Sequence, residues 1–130
     1  MIDIKNYILE KLKIGTNTKI RTRNKENWSI ENAEDGDVVC WNGDTLFFIY
    51  KCLNTGYDYS NASENAIVYH ASYIADNRQK IDIGPDTGVG DTSKPQLFKL
   101  ATDEQCRQFY KALEKHGYKW DDNKKEIVKL

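Results

Sequence analysis

The chain lacks any apolar run approaching the roughly 18 residues that a membrane-spanning helix needs. It opens Met1-Ile-Asp-Ile-Lys-Asn6, with an acid where a secretory signal would carry an uninterrupted apolar stretch. It therefore reads as a cytoplasmic protein with no membrane partner. Cysteine is scarce: Cys40, Cys52 and Cys106 are an odd number at unrelated spacings. They suggest neither a disulfide framework nor a zinc site, and reduced, partly buried thiols are the simpler reading. Histidine occurs only at His70 and His116, no serine lies in a nucleophile elbow, and HExxH and CxxC are both missing. A strong excess of charge is missing as well. The net charge of -1 argues against a protein whose main work is coating duplex nucleic acid.

What is present suits one α+β domain of 130 residues. Charged residues make up 30% and hydrophobic residues 39%, as in ordinary globular chains. The charge is unevenly spread. Residues 1–28 hold seven basic and three acidic residues, whereas residues 29–66 hold seven acidic residues and Lys51. A basic helix-and-strand leader (1–28) thus precedes a sheet and C-terminal helix module (29–130).

Periodicity places the elements. Ile4, Ile8 and Leu12, with Tyr7 beside them, give residues 3–14 a helical stripe ended by Gly15, and Thr16 to Thr22 alternates like a strand. Asp37 to Asn42, Thr45 to Leu53 and Ala66 to Tyr73 are rich in β-branched and aromatic residues and predict the central strands. Asn42-Gly43 between the first two is a tight-turn signal. Asn54 to Asn65 reads as a polar loop, Gln79 to Ile83 as a further strand, and Gly84 to Pro95 as a loop. Thr102 and Gln105 form a capping box for a helix with Cys106, Phe109, Ala112 and Leu113 on one face, stopped at Gly117 and followed by a short strand. These elements predict a small, curled, barrel-like antiparallel sheet with an N-terminal and a C-terminal helix.

Several segments carry a resemblance. They are Ser29-Ile-Glu-Asn-Ala-Glu-Asp-Gly-Asp-Val-Val-Cys-Trp41, Leu46-Phe-Phe-Ile-Tyr-Lys51, Val68-Tyr-His-Ala71, Ala101-Thr-Asp-Glu-Gln105, Gly117-Tyr-Lys-Trp-Asp121 and Lys124-Lys-Glu-Ile127. Over Ser29 to Leu130 the chain resembles a family of small proteins and modules carried by phages and mobile elements of gut anaerobic bacteria. The resemblance implies a barrel-like module with a C-terminal helix and strand, and a phage accessory or anti-defence role. The family brings no assigned activity, so no functional residue is carried over from it. The chain departs from the family pattern at the long Gly84–Pro95 loop, where a specific function is readily grafted.

Candidate chemistry is sparse and points to binding rather than catalysis, with no cofactor and no metal. Gly84-Pro-Asp-Thr-Gly-Val-Gly-Asp-Thr-Ser-Lys94 has the ingredients of an anion nest, but Pro95 after Lys94 excludes a P-loop. Asp86 and Asp91 lack the ligand spacing of a calcium loop. In the strand around His70, a period of two puts Val68, His70 and Ser72 on one face and Ile67, Tyr69, Ala71 and Tyr73 on the other. His70 is then expected to point away from the core, toward solvent or a groove. Tyr57 and Tyr59 stand in a polar loop without a packing pattern.

Thr92, Ser93 and Lys94, facing Tyr57, Tyr59 and His70, are therefore the candidate site for a small nucleotide-like, phosphorylated ligand. Occlusion of a host protein is the other form of a binding role, and the oligomeric state stays open. The alternative is single-stranded nucleic-acid binding, with Lys19, Arg21, Arg23 and Lys25 as a phosphate stripe and Trp28 for stacking. An unrecognised small hydrolase is the third reading.

Overall fold

The structure, a computed structural model, describes residues 27–130. The expected N-terminal helix, the Thr16–Thr22 strand and the Lys19, Arg21, Arg23 and Lys25 stripe lie outside the described residues. Within them the fold is α+β. The strands are β1 (Val38–Trp41), β2 (Leu46–Leu53), β3 (Ile67–Ile74), β4 (Lys80–Asp86) and β5 (Phe98–Leu100), followed by helix α1 (Asp103–Lys115) and by β6 (Tyr118–Asp121) and β7 (Glu126–Lys129). The first five form one sheet in the order β4-β3-β2-β1-β5, with every pairing antiparallel. Asn42 and Gly43 take φ of 52° and 127° between β1 and β2, as the tight-turn signal predicts.

The barrel-like expectation is corrected: the five-stranded sheet is open, with β4 and β5 at opposite ends. Its apolar surfaces are sheltered by layers rather than by closure. On one face Val38, Cys40, Phe47, Ile49, Ala71 and Tyr73 pack against Cys106, Phe109, Ala112 and Leu113 of α1 and against Trp120. On the other, Ile30, Val39, Phe48, Tyr50, Ile67 and Tyr69 pack with Val89 and Phe98, flanked by Trp28 and Leu97. Burial of that second face falls to irregular segments, one around Ile30 and one around Val89. The Gly84–Pro95 stretch is therefore no plain exposed connection. Its first residues complete β4, and Val89 is buried beneath its middle.

Helix α1 begins as its sequence dictates. Gln105 N–H donates to Thr102 Oγ1 and Thr102 N–H to Gln105 Oε1, at 3.1 and 2.8 Å, which satisfies two of the orphan donors of the first turn. Gly117, at φ 88°, ends it. The chain then makes a hairpin, β6 with β7, where one terminal strand is expected.

Three adjacent strands break step at one level. Ile49 pairs with Ala71 but Tyr50 pairs with Tyr69, which leaves His70 unmatched on β3. Cys52 then pairs with Val68, which leaves Lys51 unmatched on β2. Across β3 and β4, Tyr69 pairs with Asp86 and Ala71 with Ile83, so Gly84 and Pro85 bulge as well. An extra residue reverses the in–out alternation of everything beyond it. That corrects the expected facing of β3: Ile67 and Tyr69 belong to the second core, Ala71 and Tyr73 to the first.

Candidate functional site

His70 stands at the centre of these bulges and is only 6% exposed, so it does not point out to solvent. The parity change turns its ring toward the first face, where it meets the Trp120 indole with centroids 4.7 Å apart. Its Nε2 lies 2.6 Å from Asp35 Oδ1. Asp35 is delivered by a tight turn: Asp37 N–H donates to Glu34 O at 2.9 Å, and Gly36 takes φ 100°. The turn is pinned to β2 through Gly36 N–H to Tyr50 O and Tyr50 N–H to Asp37 O, both 2.8 Å. A Cβ at Gly36 would come within 3.2 Å of both the Lys125 ammonium and the Trp120 ring, so the turn and the β6–β7 hairpin are in close contact. The fully buried Asp37 carboxylate accepts from Glu34 N–H and Trp28 Nε1–H, at 2.9 and 3.2 Å, and braces the turn from behind.

Around His70 opens a cavity of about 460 Å³. Its walls are Lys51 from β2, Tyr57, the β4 bulge Ile83-Gly84-Pro85, and Lys124, Lys125, Glu126 and Ile127 from the hairpin. Lys125 pairs with Asp122 at 3.1 Å. No carboxylate of the described residues lies within ion-pairing distance of Lys51 or Lys124, and the Lys51 ammonium sits 5.7 Å from the centre of the Tyr57 ring. Tyr57 is exposed and stacks on Tyr59, with centroids at 5.1 Å. Tyr59 O–H in turn donates to Pro85 O at 2.6 Å, which ties the tyrosine loop to the β4 bulge. Asn54 organises that loop from inside. Its side chain is buried, its amide faces the carbonyls of Tyr59, Ala62 and Ser63 at 3.0–3.1 Å, and its Oδ1 accepts from Tyr59 N–H.

Burial pushes the His70 pKa down, and the nearby Lys51 and Lys125 ammonium groups push the same way, against the pull of the Asp35 hydrogen bond. At neutral pH the His70–Asp35 contact is therefore a hydrogen bond from a neutral ring rather than an ion pair. The carboxylate can only accept, so Nε2 carries the proton and Nδ1 has the lone pair. Among the described residues nothing hydrogen-bonds to Nδ1. Cys40 and Cys52 are not activated as nucleophiles. Burial raises Cys40 to about 11, and its Sγ contacts Gln105 Oε1; burial likewise raises Cys52. Nor do three His, Cys, Asp or Glu side chains of the described residues converge as a metal centre.

The structure brings together only part of the sequence-derived site. Tyr57 and His70 line one cavity, with Tyr59 directly behind Tyr57. Thr92, Ser93 and Lys94 are not among its walls. Thr92 N–H instead donates to Asn65 O, and Ser93 donates twice to the Asp91 carboxylate, so this loop is stitched to the start of β3. Trp28, a candidate stacking platform for nucleic acid, is half-buried against the second core with its N–H held by Asp37. His116 Nδ1–H donates to Ala112 O at 2.9 Å, at the C-cap of α1. Asp35, Lys51, Lys124 and Lys125 carry no sequence signal of a site: they come from separate segments, and a bulge has no period to read. The chain matches no family model, no curated protein and no solved structure in the comparisons made.

Proposed function

We propose that the protein is a non-enzymatic binding module that holds a small anionic, ring-bearing ligand in the cavity around His70. The reading rests on one observation: Lys51, Tyr57, His70, Lys124 and Lys125 reach one cavity from separate parts of the chain. Lys51 and Lys124 without carboxylate partners among the described residues suit a phosphate, and the Tyr57 ring suits stacking. The net charge of -1 gives no long-range attraction for anions, so affinity must come from this local arrangement. In the phage setting that the sequence resemblance implies, such a module would sequester a small phosphorylated signal of the host.

A thermal-shift screen of mono-, di- and cyclic nucleotides tests this. A concentration-dependent rise in melting temperature is expected for at least one class. Lys51→Ala combined with Lys124→Ala should remove it. Lys94→Ala should leave it intact, because Lys94 is not a cavity wall. A screen without any shift would reject the small-ligand reading and leave occlusion of a host protein.

A further inference from the structure

We propose that the cavity captures its anion together with a proton, which is taken up by His70. The inference rests on the anion-binding reading above and adds how that binding is regulated. Its basis is geometric. Nε2 of His70 is committed to Asp35, so Nδ1 is the nitrogen left to face a ligand, and it can donate to an anion only when the ring is protonated.

The charged groups facing His70 come from every element packed on it. Asp35 comes from the turn before β1, Lys51 from β2, and Lys125, Lys124 and Glu126 from the hairpin, while the β4 bulge contributes only Ile83, Gly84 and Pro85. Without ligand, burial and the Lys51 and Lys125 ammonium groups oppose an imidazolium. An anion among Lys51, Lys124 and Lys125 cancels that repulsion and supplies an acceptor for Nδ1–H. Asp35 remains as the counter-charge on the other nitrogen. Both changes favour the charged ring in the complex, so its pKa is higher with ligand bound than without. Affinity must then rise as pH falls through the interval between the two values, with about one proton taken up per ligand there.

The test uses a 3′,5′-cyclic nucleotide, because its phosphodiester keeps one charge throughout, and calorimetry from about pH 8 to about pH 5.5. Binding should tighten toward acid, by up to about tenfold per pH unit, with proton uptake seen as a dependence on buffer ionisation enthalpy. His70→Gln should bind with the pH dependence gone. In the unaltered protein, the His70 ring resonances should titrate at higher pH with nucleotide than without, which keeps the test independent of how the variant folds. A pH-independent affinity, or the same slope in His70→Gln, overturns the proposal while leaving the anion site standing. Absence of binding even at the acid end, for the cyclic nucleotide and for the mono- and dinucleotides alike, removes the anion-site reading, and this proposal with it.

Discussion

The Trp120 indole and the His70 imidazole are inclined at 54° with centroids 4.7 Å apart, so the hairpin that carries Lys124 and Lys125 is seated on the strand bulge itself. Trp120 is 1% exposed. Trp120→Ala should therefore cost about 3–5 kcal/mol and also abolish nucleotide-induced stabilisation. Phe109→Ala, in the same core, packed on Phe47 and Tyr73, should cost a similar amount but spare the ligand effect. Chemical denaturation with and without nucleotide separates the two outcomes. A loss below about 1 kcal/mol for either variant contradicts the packing described.

Gly84 leaves no room for a side chain. A Cβ there would lie 2.6 Å from Asp86 N and 2.7 Å from Tyr69 O, both backbone atoms of the paired strands. Gly84→Ala should destabilise by about 1–3 kcal/mol, with the largest amide chemical-shift changes along Tyr69–Ala71 and Ile83–Asp86. Gly56→Ala is the control: its Cβ would meet only Cys52 side-chain atoms at 3.9 Å, and it should stay within about 0.5 kcal/mol of the parent. Equal stabilities for the two variants would disprove the close approach.

Stability should depend on pH through His70. Its folded pKa lies below the unfolded value, so above about pH 6.5 the ring is neutral in both states and contributes no slope. As pH falls below that point the unfolded chain gains the proton first, and stability declines until the folded pKa is passed. Urea denaturation of the protein and of His70→Gln over this window should show the decline reduced in the variant. Parallel curves would remove His70 as its source.

Thiol reactivity should be low. Cys40 and Cys106 are buried, and burial raises the Cys40 pKa to about 11 and also raises Cys52. A disulfide reagent at neutral pH should modify the folded protein slowly, and at Cys52 before Cys40 or Cys106. Rapid modification of Cys52 would favour the hydrolase reading by revealing an activated thiolate.

Asn54→Asp should be worse than Asn54→Ala. The alanine leaves three carbonyls without their shared donor, at about 1–3 kcal/mol, whereas an aspartate points a second acceptor at them. The extra loss should fade at acid pH, where the new carboxyl can carry a proton. Melting curves of both variants across pH decide this, and a pH-independent difference counts against it.

Local signals carried much of the fold. Thr102 and Gln105 announced α1, Asn42-Gly43 announced the β1–β2 turn, and Phe109 and Leu113 announced the buried helix face, because each depends on neighbours a few residues away. The hairpin was half legible, since Tyr118 to Asp121 reads equally as a tail after Gly117. The open sheet was not legible, because closure is decided by which edges meet. For the candidate site, Tyr57 could be singled out as an aromatic in a polar loop and His70 as one of two histidines. Asp35 and the lysines could not, since only the bulges bring them into register. Thr92 to Lys94 looked like a nest by composition, but Thr92 N–H donates to Asn65 O and Ser93 donates to Asp91.

The matched interruptions in β2, β3 and β4 bind the cavity to the framework. Deleting His70 from β3 would leave Tyr69 and Ala71 adjacent and on opposite layers, where they already lie, so simple alternation would return without moving either core. Packing alone therefore does not require the extra residue. The cavity does, because that residue is the imidazole in its wall. Shortening this strand by one residue would keep the framework and remove the titratable group that the framework holds.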